Sequence, residues 1–283
     1  MGVTDCHVHI NPFWEMRPDA LALLGHRDPA TARFVREPKA FLDYLDRSGI
    51  DRAVLVNYVA PEVIGYTEAT NTFASEFAKA DPQRLLATGG IRPDHPDPGS
   101  EVRRLSRELG LRAIKLHPPH QLFRPNAYVE GGPGRLAELY GACEREQLPV
   151  IFHTGTSIFP RARDRFGDPM FVEDVAIDFP KLTIVLAHGG RPLWMTTATF
   201  LARRFPNVWL EVSSIPPARL LDYFPALERL SEKVLFGTDW PGPAVPELRA
   251  NFDAFRALPL SAEVQRRVLE ENPLKVFPSR GSR

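Results

Sequence analysis

Cysteine is scarce in this 283-residue sequence, which contains only Cys6 and Cys143. Two cysteines form at most one disulfide, so the disulfide framework that stabilises many small secreted proteins is excluded. No basic segment followed by an apolar segment precedes Asp5, as a secretory signal would require. We therefore expect a cytoplasmic protein.

Long apolar runs and an excess of charge of one sign are also lacking. The longest hydrophobic stretches, such as TIVLA and AVLV, are far shorter than the ~18 to 20 residues of a membrane-spanning helix. Lysine plus arginine (35) balance aspartate plus glutamate (35), and no block of like charge occurs. Neither nucleic acid nor an anionic membrane surface is therefore expected as a partner. The expected partner is a small molecule.

What the sequence does contain is an alternation of short apolar runs and amphipathic segments. The β-rich runs cover residues 3–10, 52–58, 84–91, 112–118, 149–155, 182–190, 208–214 and 234–241. Most are continuously hydrophobic, as in parallel strands buried on both faces. The segments between them repeat apolar residues three and four positions apart, as helices do. This order predicts an α/β protein with one domain over residues 1–283, folded as a parallel, eight-stranded (β/α)8 TIM barrel.

An open, doubly wound sheet is the alternative architecture for alternating strands and helices. We disfavour it because the first strand-to-helix turn has no Gly-x-Gly-x-x-Gly fingerprint, and because polar residues recur at the ends of successive strands. Three connections are long, over residues 11–36, 118–133 and 156–170. In a barrel such βα loops are expected to stand above the catalytic mouth.

Two histidines lie one residue apart in the first strand, in the stretch DCHVHIN. His7 and His9 are expected on one face because strand side chains alternate with a period of two, whereas Cys6 is expected on the opposite face, against the helices. If the face of the histidines looks into the barrel, both imidazoles can bind one divalent cation. A pair of hydrogen-bonded core histidines is the alternative.

Further ionisable residues end later strands, namely Lys115, His153, His188 and Asp239. Burying such groups at the end of an apolar run is costly unless something compensates them, and a bound divalent cation would do so. Imidazole nitrogen and carboxylate oxygen are ligands of Zn²⁺ and similar metals. A metal site built from several strand ends is the prediction.

The motifs DCHVHIN, GLRAIKLHPP, IFHTGT, LAHGG and FGTDWP, in this order over nearly the whole chain, resemble the metal-dependent amidohydrolase superfamily. More narrowly they resemble its family 2, which includes aminocarboxymuconate semialdehyde decarboxylase, related aromatic acid decarboxylases and lactone hydrolases. By this resemblance one metal ion, commonly zinc, is held by four residues, and the sixth-strand histidine, His188, acts on the substrate or on metal-bound water. The four expected ligands are His7, His9, His153 and Asp239. Family members are often dimers, which implies that the chain can form a homodimer.

The metal count depends on Lys115. Other branches of the superfamily hold two metals bridged by a carboxylated lysine of the fourth strand, which is where Lys115 lies. We favour one metal because the GTDWP and AHGG surroundings resemble the mononuclear branch. An unmodified Lys115 could then contact an anionic substrate or a carboxylate of the site.

Two enzyme chemistries fit this set of residues. Water bound to the cation should lose a proton near neutral pH, with His188 polarising a substrate carbonyl and Asp239 accepting a proton. This favours hydrolysis of a small carboxylic ester, lactone or amide. The alternative is non-oxidative decarboxylation of a small aromatic or unsaturated carboxylic acid, with His188 or Asp239 supplying the proton. A barrel without catalytic activity is a third alternative.

The expected substrate is anionic, so cationic and polar residues near the strand ends are candidate contacts. Arg92 follows the third strand, Arg161 lies in the loop after the fifth, and His117 shares a face with Lys115. Trp240 is a candidate wall for a flat substrate, with packing in the core as the alternative. Glu211 and Ser213 share a face of the seventh strand and could also contact the site.

Overall fold

Parallel strands recur along the chain in the computed structural model, which describes residues 2–24, 28–132, 134–242, 245 and 247–278. In this part of the chain the strands are β1 (Thr4–Val8), β2 (Arg52–Leu55), β3 (Leu85–Ala87), β4 (Ile114–Leu116), β5 (Val150–His153), β6 (Ile184–Ala187), β7 (Val208–Glu211) and β8 (Val234–Leu235). Each lies within one of the predicted β-rich runs, so the strand prediction is confirmed.

The strands close into a barrel. β1 to β3 pair in sequence order, as do β4 to β8, and all these pairs are parallel. Gly89, after β3, forms a parallel bridge with Ile114 of β4, and Val8 of β1 forms one with Trp240, after β8. The backbone N–H of His9 also donates to the carbonyl of Trp240 at 2.7 Å. The (β/α)8 TIM barrel is therefore confirmed, and the open sheet is wrong.

Helices fill the connections between the strands. They are α1 (Pro18–Leu23), α2 (Pro29–Phe34), α3 (Pro38–Ser48), α4 (Ala69–Ala78), α5 (Pro98–Arg103), α6 (Pro118–Gln121), α7 (Arg135–Arg145), α8 (Glu173–Asp178), α9 (Met195–Arg204), α10 (Leu220–Tyr223), α11 (Leu248–Arg256), α12 (Ala262–Arg266) and α13 (Asn272–Val276). Wider π-helical turns continue α5 over Arg104–Glu108 and join α12 to α13 over Arg267–Glu271. No helix of the described residues is both long and apolar enough to span a bilayer.

Sequence signals explain where several helices begin and end. α3 has proline in its first turn and ends before Gly49, whose φ of 71° is the left-handed conformation that glycine adopts without strain. The hydroxyl of Ser261 accepts from the backbone N–H of Val264 and so caps α12. Such ends set the helix lengths between strands and thereby place the strand ends at the mouth of the barrel.

The first strand contains one extra residue. Asp5 pairs with Ala53 and Val8 with Leu55, so three steps along β1 oppose two steps along β2. The irregularity lets Cys6 and His7 both turn inward. Cys6 packs in the same buried cluster as Val54, and the expectation that it faces the helices is wrong because a bulge interrupts the alternation.

The long connections lie above the carboxyl ends of the strands, as expected. The connection after β1 carries Phe13 and Met16, and that after β5 carries Ile158 and Phe159; all four line the cavity described below. His120 of α6 lines it from the connection after β4. His26, an additional histidine of the first connection, lies outside the described residues.

Candidate active site

A cavity of about 460 Å³ opens at the carboxyl ends of the strands. Six histidines line it: His7, His9, His117, His120, His153 and His188. Lys115, Arg191 and Asp239 add charge, and much of the remaining wall is apolar or aromatic. A concave, largely apolar site with a few convergent polar groups is the usual form of a small-molecule site.

The end of β8 brings Asp239 against the first strand. The backbone N–H of Asp239 donates to the carbonyl of His7 at 2.8 Å, and its φ of 70° turns the chain sharply. The preceding residue, Thr238, donates its backbone N–H (2.9 Å) and its hydroxyl (2.7 Å) to the carboxylate of Asp5. A left-handed backbone is rare outside glycine and is commonly retained at functional sites.

His7, His9 and Asp239 converge on one point. The Oδ1 atom of Asp239 lies 3.0 Å from Nε2 of His9 and 3.6 Å from Nε2 of His7. On the far side of each ring, Nδ1 of His7 is 2.8 Å from Oε2 of Glu211, and Nδ1 of His9 is 3.0 Å from the carbonyl of Val56. Because a carboxylate and a carbonyl accept hydrogen bonds, each Nδ1 carries the hydrogen and each Nε2 presents its lone pair.

This geometry fits a divalent cation. Two imidazole lone pairs face a carboxylate oxygen, an arrangement that requires a cation or a proton between them. Nε2 of His7 is buried and has no hydrogen-bond partner. The three ligand atoms lie within 4.8 Å of one another, and their types suit zinc and similar metals.

The electrostatic surroundings keep Asp239 ionised. Burial raises the pKa of its carboxyl, but the neighbouring basic groups His9, His7 and Arg191 lower that pKa by more, so it lies below its ordinary value. An ionised carboxylate is the form that binds a metal ion.

A second network fixes His188. The hydroxyl of Ser213 donates to Oε2 of Glu211 at 2.9 Å and therefore accepts from Nδ1–H of His188, also at 2.9 Å. Nε2 of His188 is left with a lone pair. The same Glu211 carboxylate receives Nδ1–H of His7, so it orients two of the cavity histidines. The expectation that Glu211 and Ser213 contact the site agrees with this geometry.

His153, the fourth expected ligand, lies beside His188 and not within the group formed by His7, His9 and Asp239. Its Nε2 lies 3.3 Å from the carbonyl of Thr156, and its ring centroid is 4.6 Å from that of His188. The groups of described residues whose ligand atoms fall within 4.8 Å are His7, His9 and Asp239, and His7, His188 and Glu211. The role of His153 as a metal ligand therefore stays a prediction.

Two cations complete the site, of which Lys115 is buried and Arg191 is partly buried. Nζ of Lys115 has no hydrogen-bond partner, and burial lowers the pKa of its amine to about 8 although Glu211 and Asp239 oppose the shift. Arg191 donates to the hydroxyl of Ser214 at 2.7 Å, whereas its buried Nε has no partner. Sequence reasoning missed Arg191, which directly follows the AHGG motif.

Three expected substrate contacts lie elsewhere. Arg92 binds Asp94 through two hydrogen bonds of 2.9 Å, and Arg161 binds Asp19 at 3.0 Å; neither arginine lines the cavity. Trp240 is 1% exposed and packs between aromatic rings of the core, including that of Phe41. The structure therefore does not bring these three residues to the cavity, because carboxylates pair with both arginines and the turn at Asp239 directs Trp240 into the core. His117 does line the cavity.

Comparison with known proteins supports the same family as the motifs. A gamma-resorcylate decarboxylase of Rhodococcus jostii (strain RHA1) is 25% identical over 284 aligned residues, which cover 80% of this chain and 84% of the relative. A TIM-barrel protein of Bordetella bronchiseptica has a similar structure, with a TM-score of 0.74, 24% identity and 98% of each chain covered. A probable 2-pyrone-4,6-dicarboxylic acid hydrolase of Acinetobacter baumannii, with citric acid bound, gives a TM-score of 0.69 at 16% identity, covering 98% of this chain and 99% of that one. The amidohydrolase family model matches residues 4–279, and the chain belongs to amidohydrolase family 2 of the metal-dependent amidohydrolase superfamily.

Proposed function

We propose that the protein is a metal-dependent decarboxylase of a small aromatic or unsaturated carboxylic acid. The observation that carries this proposal is a mostly apolar cavity in which two cations, the buried Lys115 and the partly buried Arg191, retain unpaired N–H groups beside the metal-type cluster. The similarity to a decarboxylase over four-fifths of the chain supports the same chemistry.

His7, His9 and Asp239 would hold the metal ion, with His153 as the expected fourth ligand. A divalent cation at this position would bind an oxygen of the substrate and stabilise the negative charge that develops as carbon dioxide leaves. Arg191 and Lys115 would attract the carboxylate and orient it. Aromatic and aliphatic walls would pack against the ring or the unsaturated chain.

The apolar walls favour loss of carbon dioxide over other reactions of a carboxylate. A carboxylate concentrates charge on two oxygens, and this charge spreads over the carbon skeleton as the bond to carbon dioxide breaks. Exclusion of water therefore raises the free energy of the starting carboxylate more than that of the transition state, which lowers the barrier. Nε2 of His188 can take up a proton from solvent on its free lone pair and transfer it to the carbon that holds the electron pair, so that one proton is consumed for each carbon dioxide released.

Hydrolysis of a small lactone or ester is the second candidate, and one observation favours it. Burial lowers the pKa of His188 well below its ordinary value, so its Nε2 is a free base that could remove a proton directly from an attacking water. The Glu211 and Ser213 network would hold the ring in this tautomer in both reactions.

Product analysis tests the proposal. Zinc-loaded and manganese-loaded protein should be incubated separately with aromatic acids, unsaturated acids and lactones. Carbon dioxide release should be measured beside acid release. We expect carbon dioxide from at least one carboxylic acid, loss of that activity on chelation, and its return with metal. Hydrolysis of lactones without carbon dioxide release from any acid would favour the second candidate and overturn the first.

A further inference from the structure

The amine of Lys115, in the middle of β4, is buried beside the cavity and unpaired. The side chain is 1% exposed and lines the cavity, and Nζ has no hydrogen-bond partner among the described residues. A buried ammonium group without partners is costly, so these surroundings favour the uncharged amine. An uncharged amine carries a lone pair, which is what a nucleophile requires.

The charges around Lys115 leave both forms of the amine available. Burial lowers the pKa of the amine, Glu211 and Asp239 oppose this shift, Arg191 adds to it, and the result is about 8. Near that pH about half of the amines are uncharged. The charged form attracts a carboxylate, as in the proposed function, and the uncharged form is free for a second reaction.

Lys233 shows that lowered basicity alone does not produce this arrangement. Burial and the nearby Lys275 also lower the pKa of Lys233 to about 8. Its amine, however, donates to the carbonyl of Pro206 and lies 4.8 Å from the centroid of the Trp209 ring. Lys233 also lies outside the cavity lining. The two lysines therefore have similar basicity, and of the two Lys115 is the one that is unpaired beside a cavity.

Arg191 supplies an anchor for a carboxylate in the same cavity. Its guanidinium donates to the hydroxyl of Ser214 at 2.7 Å and to the carbonyl of Thr156 at 3.3 Å, whereas Nε has no partner among the described residues. Its charge lowers the pKa of Lys115, so the two groups lie within electrostatic range of each other. A ligand with both a carboxylate and a carbonyl group can therefore engage Arg191 with the first and present the second to Lys115.

We propose that Lys115 forms a reversible imine with an aldehyde or ketone group of a carboxylic acid whose carboxylate binds Arg191. The nitrogen lone pair bonds to the carbonyl carbon, the π electron pair moves to the oxygen, and one amine proton follows it. The resulting carbinolamine loses its hydroxyl group with the second amine proton as water, and a C=N bond remains. One water is released, and no oxidant or reductant is consumed. The largely apolar wall limits access of water and so opposes hydrolysis of the imine.

This reactivity goes beyond the proposed function, because it requires neither a metal ion nor the release of carbon dioxide. It shares with that function only the assignment of the ligand's carboxylate to Arg191. The ligand class is narrowed to small acids that carry an aldehyde or ketone group.

Reductive trapping tests the inference without turnover. Zinc-loaded protein should be incubated at about pH 8 with 4-formylbenzoate and cyanoborohydride, which reduces an imine to a stable secondary amine. Peptide mass spectrometry then locates the adduct. We expect labelling at Lys115 to be at least about tenfold faster than at Lys233, because the bound ligand holds its carbonyl group beside the amine. Equal labelling of the two lysines, or absence of an adduct at Lys115, would overturn the inference.

Benzaldehyde, which lacks the carboxylate, measures the contribution of Arg191. The unchanged protein should be labelled at Lys115 about tenfold more slowly by benzaldehyde than by 4-formylbenzoate, as the loss of one charge-assisted contact allows. Arg191→Gln should remove this difference while leaving labelling by benzaldehyde within about twofold. Arg92→Gln, at an arginine bound to Asp94 outside the cavity, is the matched control and should keep the difference.

The two proposals fail separately. Equal labelling rates for the two aldehydes in the unchanged protein, or a difference that persists in Arg191→Gln, would overturn the inference. Carbon dioxide release is measured in its own assay. An adduct at Lys115 without decarboxylation of any acid would therefore count against the proposed function alone, and decarboxylation without an adduct would count against this inference alone.

Discussion

Two sides of one cavity use histidine in different ways. The ligand side comprises His7, His9 and His188, and the stacked side comprises His117, His120 and His153. On the ligand side every Nδ1 donates to an oxygen atom of the protein, so every Nε2 presents a lone pair. On the stacked side the rings lie face to face, with centroids 3.5 Å and 3.8 Å apart.

The difference shows that the group bonded to one ring nitrogen of a histidine determines what the other ring nitrogen can bind. On the ligand side, carboxylate and carbonyl acceptors bond to Nδ1 and so direct the Nε2 lone pairs towards one point beside Asp239. This arrangement suits a cation. Burial and neighbouring basic groups keep the stacked side neutral, because the pKa values of all three histidines lie below the ordinary value. Burial likewise lowers the pKa values of His7 and His188, so the two sides differ in the partners of their rings and not in their charge.

The largest effect is expected from removing the charge on the ligand side. Asp239→Asn should lower zinc affinity and turnover more than ~100-fold. This loss exceeds the one expected when a residue that only hydrogen-bonds to a metal ligand is changed. His120→Gln, on the stacked side, should retain zinc. Metal content after dialysis, measured by plasma mass spectrometry, checks both variants. Equal zinc loss in the two would show that the sides do not differ in metal binding.

Glu211→Gln tests whether metal binding by the ligand side depends on the acceptors that bond to Nδ1 of its histidines. The carboxylate accepts from His7 and from Ser213, and a carboxamide would place an N–H group against one of these donors. Zinc affinity should fall about 10- to 100-fold, as is usual when such a partner is lost. Competition with a chromogenic chelator measures the change. Glu146→Gln, at a carboxylate that pairs with Arg107 away from the cavity, is the control, and an equal change in both variants would contradict the prediction.

Lys115 lines the same cavity and gives binding a predicted pH dependence. Its pKa is about 8, so the amine loses its charge as the pH rises through that value. The KM for an anionic substrate should therefore increase above about pH 8. Lys115→Met should raise KM about tenfold at about pH 6, where the amine of the unchanged protein is charged, and should remove the increase near pH 8. An unchanged pH profile of KM in Lys115→Met would show that another group is responsible.

The parts of the site that follow from local periodicity could be predicted from sequence. Strand alternation placed His7 and His9 together, and the ends of apolar runs placed His188, Lys115 and Asp239 at the mouth of the barrel. The tautomers of these histidines could not be predicted, because they depend on partners that lie far away in sequence, such as Glu211 for His7.

The sequence-based errors have local physical causes. An extra residue in β1 turned Cys6 inward, and the left-handed backbone at Asp239 sent Trp240 into the core. The contribution of Arg191 could not be predicted, because only the folded chain shows that it lines the cavity and that its buried Nε has no partner. The charge of Arg92 makes it a candidate substrate contact in the sequence, but the carboxylate of Asp94, two residues away, binds it.

The smallest effects are expected from arginines that belong to neither side of the cavity. Arg92 and Arg161 are 37% and 53% exposed and bind carboxylates outside the cavity, and exposed ion pairs contribute little to stability. Arg92→Ala and Arg161→Ala should therefore change KM and kcat less than about twofold, whereas Arg191→Gln should raise KM for an anionic substrate about tenfold because a partly buried guanidinium with an unpaired Nε is lost. Steady-state kinetics on the three variants compare the arginines directly. A KM effect at Arg92 or Arg161 as large as that at Arg191 would mean that the ligand extends beyond the cavity, into the loops that follow β3 and β5.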